Sequence, residues 1–159
     1  VERTEYNPPT KKVNITNIFN EIKDTFHNKK YPKIKIDFKS PKKDIFLAAD
    51  SLELKQVFIN LIQNSLSHSF SKKPILVTLS NKKDSIDFSV RDLGIGIAQE
   101  DIPLLTKRFY RVDSARSRES GNTGLGLSIV KHIINRHQGE LIIESELDLG
   151  SHFTASFQK

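Results

Sequence analysis

From Ile15 onward the apolar side chains Ile15, Ile18, Phe19, Ile22 and Phe26 recur at the three-and-four spacing of one helix face. Thr16 or Asn17 is placed to cap that helix. Lys33 to Phe38 then alternates, with Ile34, Ile36 and Phe38 on one side and Lys35 and Asp37 on the other, which predicts a half-buried strand. A short strand is expected near Ile45 to Leu47. The strongest helical pattern follows, capped by Asp50 or Ser51 with Glu53 in its first turn. It carries Leu54, Val57, Phe58, Leu61, Ile62 and Leu66, and Pro74 marks its end. Ile75–Leu79 and Ile86–Val90 read as strands joined by a polar turn, Ser80 to Ser85. A Gly-rich loop, Asp92 to Gly96, leads into a short helical stretch reaching about Arg108. Arg111 to Thr123 is almost free of apolar residues and reads as a long mobile loop, the kind that usually carries function. A last helix is expected from about Gly124 to His137 with Gly139 as its stop. Strands Leu141–Glu144 and His152–Phe157 then close a hairpin around Asp148 to Gly150. No repeat or low-complexity tract interrupts this order. The sum predicts an α/β protein, a two-layer α/β sandwich with three main helices on one face of a mixed, mostly antiparallel sheet.

At 159 residues the chain suits one domain with a real core. No apolar run approaches the roughly 18–20 residues a membrane span needs. The chain contains no Met and opens on Val1, so it reads as a piece of something longer, with any signal peptide or anchor outside it. The polar residues 1–12, with their Pro-Pro pair, read as a linker or the end of a preceding segment, and residues 13–159 as the domain itself. The absence of Cys excludes a disulfide framework and a thiolate metal site, and fits a reducing compartment. The net charge of +6 is carried largely by lysine pairs beside turn residues, which fits solvated loops, and no aromatic-interleaved basic stripe points to nucleic acid.

Four local features bear on chemistry. Asn60 and Asn64, four residues apart, lie about 40° apart on one helix face, with Ser67 and His68 continuing that edge. Their carboxamides make either an ordinary polar helix face or neutral oxygen ligands suited to Mg²⁺ beside phosphates. Asp92-Leu93-Gly94-Ile95-Gly96-Ile97 makes either a tight strand-to-helix turn or a place where backbone approaches a ligand and the Asp accepts from an amine. Gly121 to Leu127 opens a helix with glycines, an anion-binding arrangement. It lacks the Gly-Lys-Ser/Thr of a Walker loop and the glycine spacing of a dinucleotide fingerprint. Arg111, Arg116 and Arg118 follow Phe109 and Tyr110, and guanidinium forks suit phosphate oxygens as well as solvent.

The order of these features, ending on Gly150-Ser151-x-Phe153, resembles the ATP-binding domain of bacterial sensor histidine kinases. Asn60 to Ser69 (NLIQNSLSHS) is similar to that family's N box and Asp92 to Ile97 to its first glycine box. Leu105 to Asp113 (LTKRFYRVD) is similar to its F box, and Gly121 to Leu127 to its second glycine box. The stretch FYRVDSARSRESGNTGLGLSIVKH is similar to the phosphate-starvation sensor branch, and the likeness covers about Val13 to Phe157.

The resemblance implies the Bergerat fold, with ATP and Mg²⁺ held between the helix layer and a lid. It implies Asn64 as the metal ligand, Asn60 as its polar support or water-mediated ligand, and His68 near the adenine. Asp92 would read the adenine amino group, with Gly94 and Gly96 keeping that pocket open, Ile97 lining it and Ser151 holding a water there. Thr123, Gly124, Leu125, Gly126 and Leu127 would meet the phosphates, and Phe109, Tyr110, Arg111 and Arg118 would act from the lid. Ser67 stands where many relatives carry Lys or Arg, so the lid arginines are expected to compensate. Asn122 replaces a common glycine and Thr106 a common Phe.

None of the five histidines, His27, His68, His132, His137 and His152, sits in the His-Glu/Asp-x-x-x-Pro setting of a phosphoacceptor hairpin. The expected activity is therefore that of a protein-histidine kinase domain that does not phosphorylate itself. It would donate the γ-phosphate to a His on a dimerisation hairpin absent from this chain, for relay to a response-regulator Asp. The resemblance further implies a monomeric fragment of a homodimeric protein, a cytoplasmic domain whose parent is anchored in the bacterial inner membrane. Related ATPases of this fold place a Glu where this chain has Asn60, which cannot act as a base. An anti-sigma-factor-type serine kinase and a non-catalytic nucleotide-binding module of the same fold are the alternatives.

Overall fold

The computed structural model describes residues 7–28, 34–69, 72–107 and 126–159. Strand β1 (Lys12–Asn14) runs directly into helix α1 (Ile15–Asn28). Strands β2 (Ile36–Lys39) and β3 (Phe46–Ala48) follow, then the long helix α2 (Ser51–His68). Strands β4 (Ile75–Asn81) and β5 (Ser85–Asp92) come next, then a single 3₁₀ turn (Ile102–Leu104), helix α3 (Gly126–Arg136) and the hairpin β6 (Glu140–Glu146) and β7 (Gly150–Gln158).

Five strands form one sheet in the order β2-β4-β5-β7-β6. β2 lies parallel to β4, with Ile36 beside Ile75, and every other neighbour is antiparallel. β1 and β3 make a separate antiparallel pair. The expected two-layer sandwich is what the chain adopts: the faces of α1, α2 and α3 bury Phe19, Phe58 and Ile134 against Val77, Phe88 and Phe153 of the sheet. An aromatic cluster joins the layers. The rings of Phe58 and Phe88 stack with centroids 3.9 Å apart, and Phe19 meets Phe88 and Phe38 edge-on at 6.2 and 5.9 Å. On the opposite face of the sheet Asp87 accepts hydrogen bonds from Ser156 Oγ and Ser85 Oγ and pairs with Lys82. Burial alone would raise its pKa, but these partners together hold it below the ordinary carboxylate value.

Several local expectations shift. The cap of α1 is Asn14, whose Oδ1 accepts from Asn17 N at 3.2 Å. Thr16 lies inside the first turn, where its hydroxyl donates to Lys43 O and accepts from Ile45 N, tying the helix to the segment before β3. β1 had no signature, because its pairing partner is more than thirty residues away in sequence. α2 ends at His68, well before Pro74. The stretch after Ile97 makes only the 3₁₀ turn Ile102–Leu104 among the described residues, with Pro103 in its first turn. At the end of α3 the left-handed residue is Gln138 (φ 56°), and Gly139 N returns to Ile134 O at 2.9 Å, so the chain turns one residue earlier than the glycine suggests. The closing hairpin lies where the alternation places it, with both strands longer.

The loop 93–97 is trapped between two backbones. A Cβ on Gly94 would collide with His68 O at the end of α2, and one on Gly96 (φ 72°) with Glu146 O in the β6–β7 turn. Gly150 (φ 117°) closes the same junction from the other strand, its missing Cβ directed at Asp92 O. Gly150→Ala combines a left-handed strain with a backbone collision. It is expected to cost at least about 2 kcal/mol, a fall in melting temperature on the order of 5 °C. Gly126, with no described atom near its Cβ direction, serves as the control, since Gly126→Ala is expected to leave stability unchanged or raise it by up to about 1 kcal/mol. Equal melting temperatures for the two variants would show that the close approach holds nothing together.

Candidate nucleotide site

The site is assembled at the C-terminal end of α2, where β5 runs out. Asp92, the last residue of β5, is 2% exposed. Its Oδ1 accepts from Gly94 N at 2.9 Å, and Ile95 N donates to His68 O at 3.1 Å, so the loop is fastened to both its own carboxylate and the helix end. Burial holds the Asp92 carboxyl above the usual carboxylate range. Hydrogen bonding from Gly94 N and the Ser151 backbone, the nearby Ser65 hydroxyl and the charge of His68 oppose that shift without cancelling it. Asp92 is thus an acceptor whose ionised form is kept out of water by its own strand, a costly arrangement for a purely structural carboxylate.

The turn β6–β7 forms the second wall. Ser145 Oγ donates to Gly150 O at 2.9 Å, accepts from Ile97 N at 2.8 Å and lies 2.8 Å from Ser151 Oγ. A hydroxyl has one proton and two lone pairs, so the proton in the Ser145–Ser151 contact comes from Ser151. Ser151, 6% exposed, therefore presents lone pairs to its surroundings. Anything bound there donates to it.

The third wall is α2. Asn60 and Asn64 are half-buried, as is His68, whose Nδ1 donates to Asn64 O at 2.8 Å. Asn60 Nδ2 reaches Gly126 O, the first residue of α3, at 3.5 Å. α3 lies antiparallel to α2, and its far end is pinned much more firmly. Arg136 pairs with Glu53 at 2.8 Å, and His137 Nε2 accepts from Asp50 N at 3.0 Å. His137 Nδ1 then carries the ring proton and donates to Ile133 O. Asp50 itself caps α2 by accepting from Glu53 N. A capping-box Glu ordinarily returns to the cap's own N–H; here the end of α3 takes both roles, which sets its register along α2.

Among the sequence-derived candidates, His68, Asp92, Gly94, Gly96, Ile97 and Ser151 meet at this junction, with Asn64 one turn back along α2 from His68; Asn60 meets Gly126 farther along α2, and Leu127 packs on the core. Phe109, Tyr110, Arg111, Arg118, Thr123, Gly124 and Leu125 lie outside the described residues, as do Arg116 and Asn122. Gly94 and Gly96 prove to be demanded by protein backbone on their Cβ side, so packing alone requires glycine at both. Two residues escaped the sequence reading. Ser145 left no signal beyond alternation in β6. Ser65, fully buried on the apolar stripe of α2, was a legible anomaly, since the position falls among Leu54, Leu61 and Ile62.

Residues 49–159 match the family described as histidine kinase-, DNA gyrase B-, and HSP90-like ATPases. The chain belongs to that family. Among curated relatives, the sensor histidine kinase YkoH of Bacillus subtilis is 41% identical over 74% of this chain and 26% of its own length. The phosphate regulon sensor protein PhoR of Pseudomonas aeruginosa is 40% identical over 70% of this chain and 25% of its own. ArlS of Staphylococcus aureus, a signal transduction histidine-protein kinase, is 35% identical over 88% of the chain and 32% of its own. The chain thus spans about a quarter to a third of the length of these relatives. The catalytic domain of the histidine kinase ThkA superposes with a TM-score of 0.79 at 26% identity, covering 94% of this chain and 95% of that one. Full-length ShkA, solved with AMPPNP, shares the fold with a TM-score of 0.77 at 22% identity, over 95% of this chain and 31% of that one.

Because the folded-state pKa of Asp92 is raised, the folded domain holds a proton more tightly than the unfolded chain. That stability is present below the ordinary carboxylate pKa and lost as pH rises through the folded value. Asp92→Asn keeps an acceptor for Gly94 N and removes the charge. Its melting temperature at pH 7 is expected to equal or exceed wild type, with the advantage disappearing near pH 3 to 4. A variant less stable than wild type at pH 7 and equal to it in acid would reverse the sign assigned to this carboxylate.

Proposed function

We propose that the chain is the kinase domain of a sensor histidine kinase, binding Mg·ATP and presenting the γ-phosphate to a histidine on a dimerisation hairpin outside this chain. From there the phosphoryl group passes to an aspartate of a response regulator. The observation that carries this reading is Asp92, a carboxylate acceptor buried at the end of β5 and fastened beside the end of α2, one turn beyond Asn64. The names of the relatives, all sensor kinases, support it over a serine kinase of the same fold. No helix among the described residues is long and apolar enough to cross a membrane, and the reading places this domain on the cytoplasmic side of a membrane-anchored parent.

The residues suit an adenine nucleotide in three respects. Asp92 and Ser151 supply acceptors for an exocyclic amine and an ordered water. Asn64 offers a neutral oxygen ligand, and the described residues contain no cluster of three or more His, Asp or Glu that would hold a cation without phosphates. Gly126 opens α3, whose first-turn amides carry free N–H groups suited to phosphate oxygens. Bound Mg·ATP supplies the transferable phosphoryl group and its charge neutralisation. The chain's own part is orientation: Asp92 fixes the base, α2 fixes Asn64, and α3, held in register by Arg136 and His137, fixes the amides.

The polar groups around Asn60 favour transfer over hydrolysis. Asn60 is a carboxamide donating weakly to Gly126 O, and cannot take a proton from water. Four of the five histidines are engaged elsewhere: His27 packs on Phe38, His68 and His137 bond to backbone, and His152 lies 3.7 Å from Glu144.

Calorimetric titration with a non-hydrolysable ATP analogue, with and without Mg²⁺, tests the reading. Wild type is expected to bind in a Mg²⁺-dependent manner, and Asn64→Ala to weaken that binding by about tenfold or more, roughly 1.4 kcal/mol. Failure of the wild type to bind, or binding indifferent to both Mg²⁺ and Asn64, would overturn it.

A further inference from the structure

His137 fastens the end of α3 to the start of α2, and its two hydrogen bonds together specify a neutral ring. Nδ1 donates to Ile133 O at 2.8 Å, and Nε2 accepts from Asp50 N at 3.0 Å. Both roles are forced, because a carbonyl cannot donate and an amide N–H cannot accept. A proton added to Nε2 would face the Asp50 N–H donor to donor, and that bond would be lost. If the Asp50 carboxylate turned to take the new proton, its Oδ1 would leave Glu53 N and α2 would lose its cap. The other charged groups that the described contacts place there are Glu53, paired with Arg136 of α3 at 2.8 Å, and Lys11, whose main-chain carbonyl accepts from Ala49 N at 3.0 Å. β7 contributes the neutral ring of Phe157, met edge-on with centroids 6.0 Å apart. His137 is only half-buried, so protons from solvent reach it.

What hangs on that bond is the placement of α3. Val130, Ile133 and Ile134 bury the helix against the core, but apolar contact is non-directional and holds a helix down better than it sets its register. The directional contacts are those of Arg136 with Glu53 and of His137 with Asp50, side by side at one end. The first-turn amides lie at the other end, about 15 Å along a rigid helix axis, where a shift of the clamp is carried to them. We infer that His137 is a positioning residue for the phosphate end of the nucleotide site, and that proton uptake by its ring loosens the register of α3 and weakens nucleotide binding. This inference rests on the nucleotide reading above and adds to it a response of that site to acid. Histidine gains its proton as pH falls from about 8 to 5, so the bond to Asp50 N is intact at the alkaline end and lost at the acid end. Arg136 stays charged throughout and keeps its pair with Glu53, so the helix loosens without leaving the core.

Two proteins at two pH values test it: wild type and His137→Gln, whose carboxamide oxygen can accept from Asp50 N but takes up no proton. Each is titrated calorimetrically with a non-hydrolysable ATP analogue and Mg²⁺ at pH 8 and pH 5.5. Protonation of the ligand's own phosphates weakens binding equally in both. Wild type is expected to lose about threefold more affinity than His137→Gln on acidification. A second readout needs no ligand. The ¹³C methyl signals of Leu127, in the first turn of α3, are expected to move together with the His137 ring signals as wild type is titrated, and to stay still in His137→Gln. Direct influence of the ring charge over that length is screened, since it exceeds the Debye length of about 8 Å at physiological salt. The same pH dependence of affinity in both proteins, or a Leu127 methyl that ignores the ring, would overturn the inference while leaving the nucleotide reading intact. Should His137→Gln not fold, a wild-type Leu127 methyl that does not follow the ring overturns it alone. A wild type that binds the analogue at neither pH would overturn both.

Discussion

Everything at the base end of this domain depends on how closely three pieces of backbone approach one another. The loop after β5 passes between the last carbonyl of α2 and the β6–β7 turn, with glycine on each side where any side chain would collide. That contact is made of main-chain atoms, whose positions cannot adapt by changing rotamer, so it sets where the end of β5 must lie. Asp92 is buried as a consequence. Its orientation is then completed by Gly94 N and by the register of β5 on β7, which sets Asp92 opposite Ser151. A carboxylate placed in this way cannot swing out to be solvated, and its raised pKa follows from that confinement.

The two ends of α3 are held by different means. At its C-terminal end an ion pair, a histidine and a shared helix cap lock it to the start of α2. At its N-terminal end Asn60 of α2 reaches the carbonyl of Gly126 at 3.5 Å. The helix therefore has a register along α2 fixed from its C-terminal end. The base end has hardly any freedom, with several polar groups sealed from water.

The polar groups of this frame work against the stability of the fold. Asp92 is ionisable where water is excluded, and the buried Ser65 hydroxyl is spent in favouring its charged form. Both sit against a core of tightly packed aromatic and aliphatic side chains that carries the stabilising burden. Local rules that are broken in the middle of an otherwise consistent helix and strand are characteristic of a binding site.

The three helices, the five strands of the main sheet, the closing hairpin and the sandwich itself were legible from periodicity and turn chemistry, because these arise from interactions between residues a few positions apart. The order of the asparagine, aspartate and glycine segments also sufficed to mark the family, since each must keep its local spacing to work. Other features were decided only when distant segments met. β1 exists because β3 offers it a partner, and Asn14 caps α1 because Thr16 is drawn away to Lys43 and Ile45. Gly94 and Gly96 are required by backbones contributed by α2 and the β6–β7 turn. Whether Ser151 offers a proton or a lone pair depended on Ser145. A one-dimensional pattern records which groups a residue carries; which of them remain available is set by what folds against it.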